Sequence, residues 1–200
     1  MPGKIRPRNW SNTMNRRKFI GGSLGLCAGA LILPGMINRA NNRHDLIEMK
    51  LHSGTVTISL FPELAPNHVD RIKTLVQARF YDGMPFARVI EGFMAQTGDP
   101  VKETGLDYLR LPKLAAEFNS LPFERGTLGM ARSRHPHSAS HQFFITSARS
   151  RFMDQNYTAF GKVTRGMELI DGLRRGCSEL GTVVNPDVIK SMRLIPLKAA

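Results

Sequence analysis

The stretch FARVIEGFMAQTGD, residues 86–99, decides how this chain is expected to fold. Apolar side chains recur on both sides of its central glycine, which predicts two short strands joined by a bend. Because side chains two positions apart share a face of a strand, Arg88 is expected to lie beside Ile90. Met94 and Gln96 pair in the same way after the bend. A guanidinium, an amide and large apolar groups would then share a surface, although an ordinary hairpin with a surface arginine gives the same pattern.

The residues before this stretch predict a β-hairpin followed by a helix. Apolar and polar side chains alternate at 47–51 and again at 56–60, as in half-buried strands, with a short His-Ser-Gly turn between them. Pro66 suits the first turn of a helix, where its missing N–H is not needed. Apolar residues then fall on one helical face at positions 69, 72, 75 and 76, and a turn signal follows at 81–83.

Short apolar runs make up most of the rest of the chain. Their number, and the glycines and prolines between them, indicate a mainly β fold with a closed antiparallel sheet. A second, short helix is expected at Met167–Arg174. The runs lie at 86–90, 93–97, 127–131, 142–146, 159–163 and 189–195.

Three later segments combine glycine, aromatic and sulfur-containing residues. Residues 126–131 read GTLGMA, and residues 142–145 read QFFI. Phe143 and Phe144 must point to opposite faces of a strand, so one ring enters the core while the other lines a surface, unless both are buried. Residues 152–163, FMDQNYTAFGKV, add further rings and a methionine, which also suit a core whose tyrosine hydroxyl reaches solvent.

The positive charge of the chain is concentrated at its N-terminus. The formal net charge is +12, but residues 1–43 hold eight lysines and arginines and no acidic residue. Residues 44–200 hold 20 basic and 16 acidic side chains, so a nucleic-acid-binding domain is not favoured. Hydrophobic residues make up 42% of the chain, which is enough for the core of one ordinary domain.

Residues 1–43 are interpreted as a leader that directs export, and residues 44–200 as a single domain. Arg16 and Arg17 precede an uncharged run at 19–37 that is rich in glycine, alanine and leucine, as in a twin-arginine signal. The expected location is therefore the periplasm. The alternative is that residues 19–37 stay in the inner membrane as an anchor.

Four blocks in order resemble the cyclophilin family. The family's hallmark, F-H-R-V-I-x-x-F-M-x-Q-x-G-D, matches residues 86–99 except at Ala87, and the three later segments follow with the family's order. The resemblance covers about residues 47–194. It implies a closed eight-stranded antiparallel β-barrel capped by two α-helices, a site on the outer face of the barrel, and peptidyl-prolyl cis/trans isomerase activity.

The resemblance also implies roles for individual residues. Arg88 corresponds to the family's catalytic arginine, and Gln96 is assigned to the catalytic site beside it. Substrate contacts are expected from Phe93, Met94, Ala131, Arg132, Gln142, Phe144, Phe152, Met153, Tyr157 and Phe160. Of these, Ala131 and Arg132 are expected to pair with the substrate through their backbone.

Four positions depart from the family pattern. Ala87 replaces a histidine that is expected to face away from the site, and Gly129 replaces a common serine. Phe152 stands where many eukaryotic members have a tryptophan, at a position that the family ties to cyclosporin binding. Tyr157 replaces a histidine but keeps a ring with a polar tip. None of these changes removes the arginine or the pocket, so isomerase activity is still expected.

No cofactor is expected, since rotation about a peptide bond needs no nucleophile, metal ion or coenzyme. His135, His137 and His141 are close in sequence and could bind a metal ion, but no nearby cysteine or acid completes the set. The expected partners are proline-containing peptides and unfolded exported proteins, without nucleic acid. A membrane is expected as a partner only if the leader is retained, and the protein is expected to be a monomer.

Two other functions compete with the isomerase. The groove could hold proline-containing peptides as a chaperone module with little turnover, but the intact Arg88 favours the enzyme. The second competitor is a membrane-tethered assembly factor, which requires that the leader stays attached.

Overall fold

The computed structural model describes residues 46–99, 111–178 and 180–196, so the interpreted leader at 1–43 lies outside the described part. Within these ranges the chain forms eight strands and two α-helices, as the sequence predicted. The strands are β1 (Leu46–Lys50), β2 (Thr55–Leu60), β3 (Arg88–Ile90), β4 (Met94–Thr97), β5 (Thr127–Met130), β6 (Phe143–Thr146), β7 (Ala159–Arg165) and β8 (Ser191–Ile195). The helices are α1 (Pro66–Gln77) and α2 (Met167–Asp171). Neither helix is long and apolar enough to cross a membrane.

The strands form one antiparallel sheet in the order β3-β4-β6-β5-β7-β2-β1-β8. The prediction of a closed barrel is wrong, because no ladder joins the end strands β3 and β8 within the described ranges. Residues 176–178 and 180–189, here called the edge segment, run beside β3 and contact it through separate hydrogen bonds and single bridges. Pro186, within the edge segment, lacks the N–H that a continuous ladder requires. The sheet is therefore an open half-barrel.

Helix α1 buries the face that the sequence predicted. It begins at Pro66, and Val69 and Ile72 are among the side chains that it places in the core. The second helix is also confirmed, but α2 ends before the predicted Arg174, at a C-cap formed by Gly172. Glycine is a poor helix former, which accounts for the early end.

The apolar side chains form two clusters on opposite faces of the central strands. The larger cluster contains Phe143 and Phe160 together with the buried apolar residues of α1. The smaller one, here called the outer cluster, consists of Met94, Phe123, Phe144, Met153 and Ala159. Phe143 and Phe144 point to opposite faces, as strand geometry predicted, and both rings are buried. The outer cluster supports the surface on which the candidate site lies.

Candidate active site

The β3–β4 hairpin brings the polar residues of the opening stretch side by side. Arg88 lies opposite Gln96 in the strand register, and Ile90 lies opposite Met94. Directly opposed residues of an antiparallel pair project to the same face. The guanidinium, the amide and two apolar side chains therefore share one surface, as the spacing of the sequence predicted.

Polar contacts run across this surface from Arg88 to Gln142. The Nη1 of Arg88 donates to Oε1 of Gln96 at 3.4 Å, and the Nε2 of Gln96 donates to Oε1 of Gln142 at 2.9 Å. The Nε of Arg88 donates to the carbonyl oxygen of Leu180 at 2.7 Å. Neutral oxygens thus hold the guanidinium on two sides, and the other N–H groups of its planar fork are left for a ligand.

Two glycines of the edge segment place the carbonyl group of Leu180. The N–H of Val89 donates to the Gly181 carbonyl at 2.8 Å, and the N–H of Gly176 donates to the Val89 carbonyl at 3.0 Å. Gly181 has a φ of +73°, and a Cβ atom there would lie 2.3 Å from Cγ1 of Ile90. Only glycine fits this contact without movement. Sequence reasoning missed this contact, because Leu180 lies 92 residues from Arg88.

Aromatic and methionine side chains form the apolar end of the site. Tyr157 meets the ring of Phe144 edge to face, with the ring centres 5.6 Å apart. Phe152 is 64% exposed, and its ring centre lies 5.5 Å from that of Phe93. The buried members are Met94, Phe144 and Met153. The floor of this end is therefore fixed by the outer cluster, while its rim is open to solvent.

One groove of about 490 Å³ joins this apolar end to a polar end. The polar end contains five residues that sequence reasoning did not assign: Lys113, Ser133, Ser138, Ser140 and His141. Arg132 links the two ends, because its guanidinium carbon lies 4.4 Å from the ring centre of Tyr157 while its Nη1 donates to the Ser133 carbonyl at 2.9 Å. The serine- and histidine-rich run at 133–141, which sequence reasoning weighed only as a metal site, is the signal that could have indicated a polar surface here.

The backbone of Ala131 and Arg132 also lies at the groove, but one of its groups is already engaged. The N–H of Ala131 donates to the carbonyl of Gln142 at 2.9 Å. The Ala131 carbonyl and the Arg132 N–H are the groups that can pair with a bound peptide.

The histidines of this region hold the loop beside the groove. The Nδ1 of His135 accepts the N–H of His137 at 3.2 Å, and the Nδ1 of His137 accepts the N–H of Ala116 at 2.9 Å. No grouping of three potential metal ligands occurs in the described part of the chain. Burial lowers the pKa of His141, and the charge of Lys113 lowers it further, so His141 is neutral at pH 7.

A family model described as "Cyclophilin type peptidyl-prolyl cis-trans isomerase/CLD" matches residues 46–194. The chain belongs to the cyclophilin family. A relative from Brucella suis, named "Probable peptidyl-prolyl cis-trans isomerase", is 43% identical over 185 residues, covering 86% of this chain and 94% of its own. The "Peptidyl-prolyl cis-trans isomerase" of Acinetobacter baylyi is 35% identical over 148 residues, covering 71% of this chain and 79% of its own. This cyclophilin is therefore a peptidyl-prolyl cis/trans isomerase.

Solved cyclophilin structures share the fold. The cyclophilin AquaCyp293 from Hirschia baltica superposes with a TM-score of 0.67 at 26% identity, covering 76% of this chain and 74% of its own. A cyclophilin-type isomerase from Cryptosporidium parvum, crystallised in the presence of the dipeptide Ala-Pro, gives a TM-score of 0.66 at 23% identity. That match covers 75% of this chain and 98% of the other.

One expected site residue of this cyclophilin lies elsewhere. Phe160 is fully buried in the larger cluster, with its ring centre 6.2 Å from that of Phe143, and it does not line the groove. Neighbouring residues of β7 point to opposite faces, so Ala159 reaches the outer cluster and Phe160 cannot. The other eleven expected site residues all line the groove.

Gly129, a departure from the family pattern, is required by the packing of this cyclophilin. A Cβ atom at Gly129 would lie 2.4 Å from Cζ of Phe144 and 2.6 Å from Cε1 of Phe123. The glycine therefore lets both rings pack directly against β5, beneath the apolar end of the groove.

Proposed function

We propose that this cyclophilin accelerates rotation about X-Pro bonds in exported proteins, with Arg88 as its catalytic hydrogen-bond donor. The observation that carries the proposal is that contacts to Leu180 and Gln96 fix the guanidinium beside an apolar pocket in the same groove. The groove, at about 490 Å³, has the size of a site for a short peptide.

The proposed chemistry follows from the electronic structure of the peptide bond. Amide resonance must be broken for rotation, which sets a barrier of about 18–20 kcal/mol. In the twisted transition state the proline nitrogen has lost its conjugation and becomes a better hydrogen-bond acceptor. A fixed N–H of Arg88 aimed at that nitrogen binds the twisted state better than either planar isomer, and this difference lowers the barrier.

The remaining groove residues would hold the substrate around this bond. The rings and methionines of the apolar end would hold the pyrrolidine ring, which has the same shape in both isomers. Gln96, Gln142 and the free backbone groups of Ala131 and Arg132 would bind the polar atoms of the residue before proline. Such contacts are formed equally in both states, so they provide affinity and orientation and not rate by themselves.

The test of this proposal is an isomerisation assay on the purified protein. It should accelerate cis-to-trans exchange of a short X-Pro peptide in buffer that contains a metal chelator and no nucleotide. Exchange followed by NMR line shapes avoids the use of a coupling protease. Peptide binding without acceleration would instead favour the chaperone module with little turnover.

The proposed role in export rests on the sequence of residues 1–43. Replacing the arginine pair by Arg16→Lys and Arg17→Lys keeps the charge but removes the paired guanidinium groups that a twin-arginine receptor reads. The double variant should accumulate in the cytoplasm, while the parent chain should be found in the periplasmic fraction. Unchanged export of the variant would contradict the twin-arginine route. Parent chain that sediments with the inner membrane would identify residues 19–37 as an anchor.

A further inference from the structure

We infer that the groove prefers substrates with a carboxylate on the N-terminal side of the proline, and that Lys113 and Arg132 determine this preference. The inference rests on the proposed function and names a substrate class for the same groove. Its basis is that every charged side chain lining the groove is positive. The sixteen lining residues include the cations Arg88, Lys113 and Arg132 and no aspartate or glutamate.

Main-chain oxygens, and not carboxylates, satisfy the guanidinium of Arg132. It donates to the carbonyl groups of Ser133, Arg134 and Asn156, at distances from 2.9 to 3.4 Å. Carbonyl groups orient a guanidinium without cancelling its charge. Arg132 therefore presents a positive potential at the point where the apolar and polar ends of the groove meet.

Lys113 adds a second positive charge that is not neutralised within the described ranges. Its side chain is exposed, and the ion pairs found there involve other residues. The charge of Asp99 reaches His141, but Asp99 does not line the groove. The undescribed residues 100–110 include two acidic and two basic side chains, so they add no net charge.

Hydroxyl groups beside these cations are already hydrogen-bonded within the loop. The Oγ of Ser133 donates to the Oγ of Ser138 at 2.8 Å, and the Oγ of Ser138 donates to the His135 carbonyl at 2.6 Å. A bound glutamate and a bound glutamine therefore meet the same hydroxyl groups, and only the carboxylate gains the Coulomb attraction of Lys113 and Arg132. The polar end therefore distinguishes glutamate from glutamine mainly through charge.

The peptide is proposed to lie with its proline ring in the apolar end and its preceding residues in the polar end. The Ala131 carbonyl and the Arg132 N–H are proposed to pair with the residue before proline, and the chain continues through Ser133 into the polar end. With the proline ring in the apolar end, the residues that precede proline extend toward Lys113. A carboxylate placed after proline would lie away from this end.

The experiment compares turnover of matched peptides that differ only in whether one side chain ends in a carboxylate or in a carboxamide. Exchange rates are measured for Ala-Glu-Ala-Pro-Phe against Ala-Gln-Ala-Pro-Phe, and for Ala-Ala-Pro-Glu against Ala-Ala-Pro-Gln, at low salt. We expect kcat/KM to favour glutamate over glutamine by roughly three- to tenfold before proline, with little preference after it. The preference should shrink toward one at about 1 M salt, because the charges are partly exposed.

Variants assign the preference to the named side chains. The measured quantity is the ratio of kcat/KM for the glutamate peptide to kcat/KM for the glutamine peptide, with the charged residue before proline. Lys113→Glu should reduce this glutamate-to-glutamine ratio to one or below, and Arg132→Gln should reduce it in part. Lys190→Glu is the matched control, since Lys190 is exposed and does not line the groove, and it should leave the ratio unchanged. The ratio compares two peptides on one enzyme, so it does not depend on the total activity of a variant.

The inference and the proposed function fail in different ways. Absence of turnover with every peptide would contradict the proposed function. Good turnover with a glutamate-to-glutamine ratio near one, or with a ratio that survives Lys113→Glu, would overturn the inference alone.

Discussion

Arg88 is held by neutral oxygens, the carbonyl of Leu180 and the amide oxygen of Gln96, and is part of no ion pair in the described part of the chain. A carboxylate partner would satisfy the guanidinium before substrate arrived, and its charge would oppose interaction with a weakly basic nitrogen. The observed partners fix the orientation of the side chain and leave its charge available. This arrangement suits a donor that is needed mainly when the proline nitrogen is deconjugated.

Arg88→Ala should therefore abolish most turnover while the fold and much of the peptide affinity remain. Loss of one well-placed electrostatic donor typically lowers the rate by about 10²–10³. We expect kcat to fall by this factor and KM to change little, and Arg88→Lys to be poor as well, because an ammonium lacks the planar fork. Circular dichroism checks the fold. A folded Arg88→Ala variant with kcat within about threefold of the parent would disprove the assignment.

Phe152→Trp should increase inhibition by cyclosporin. Phe152 occupies the position that the family resemblance ties to this inhibitor, and it offers no N–H donor. Because its side chain is 64% exposed, an indole ring can replace it without repacking of the outer cluster. One recovered hydrogen bond of about 1 kcal/mol corresponds to roughly a fivefold gain in affinity. Side-by-side inhibitor titrations of the two proteins measure this gain, and equal sensitivity would show that the indole is not what limits binding.

Spacing was enough to predict the contacts between Arg88 and Gln96, because strand geometry places opposed residues of a short hairpin on one face. Strand geometry also explains why Phe160 does not line the groove as predicted, because its neighbour Ala159 points to the outer cluster and Phe160 points to the opposite face. Lys113 and Leu180 could not be predicted, because they lie in irregular segments. Their positions depend on contacts with residues far away in the chain.

The edge segment is the element that decides the geometry around Arg88. Local sequence predicted all eight strands, the first two from alternating side chains and the other six from short apolar runs. Closure of the sheet has no local pattern, because it would require pairing between distant parts of the chain, and here the edge segment meets residues 85 and 88 only through single bridges. The edge segment fills the gap and supplies the Leu180 carbonyl that holds the guanidinium.

Gly181→Ala should lower turnover more than it lowers stability. The new methyl group would collide with Ile90 and push the Leu180 carbonyl away from Arg88. We expect kcat to fall about tenfold with a smaller change in KM, since small displacements of catalytic groups reduce rates strongly.

Gly83→Ala is the control for backbone strain at Gly181. Gly83 also has a positive φ, +80°, but a Cβ atom there would contact nothing within 4 Å. Both variants should lose about 1 kcal/mol of unfolding free energy from the left-handed backbone, with a further loss from the collision at Gly181. Equal kcat values in the two variants would show that the edge segment does not position Arg88.

At the scale of the whole molecule, a buried contact between His68 and Glu117 joins helix α1 to the segment that carries Lys113. The Nδ1 of His68 lies 2.6 Å from Oε2 of Glu117, and the side chain of His68 is fully buried. Burial lowers the pKa of His68 in spite of the opposing effect of Glu117. Burial alone would raise the pKa of Glu117, but hydrogen bonds from His68 and Asn67 lower it overall. The pair is therefore a neutral histidine bound to a carboxylate at pH 7.

The free energy of unfolding should decrease as the pH falls from 7 to 5. His68 has a lowered pKa in the folded state, so the unfolded chain, with a histidine pKa near 6.5, binds protons first and is favoured. The contribution of His68 to the free energy of unfolding is complete above pH 6.5. It is lost as the pH falls below that value, at up to about 1.4 kcal/mol per pH unit for one proton. Burial lowers the pKa of His141 as well, which steepens the slope of the unfolding free energy against pH.

Urea unfolding at several pH values measures this slope in the parent chain and in two variants. His68→Gln should reduce the slope, because it removes the titrating group. His52→Gln removes an exposed histidine of the turn between β1 and β2 and should change the slope little. Equal slopes in all three proteins would exclude His68 as the source of the pH dependence.

The edge segment also bears on how this isomerase avoids adding its peptide substrates to its own sheet. A bare terminal strand presents unpaired N–H and C=O groups, and these recruit extended polypeptides and start aggregation. Here the backbone of Val89 is engaged on both its N–H and its carbonyl by Gly181 and Gly176, and the Ala87 carbonyl accepts the N–H of Val183. The irregular covering offers no template for another strand. A proline-containing peptide can therefore lie in the groove beside β3 without being added to the sheet.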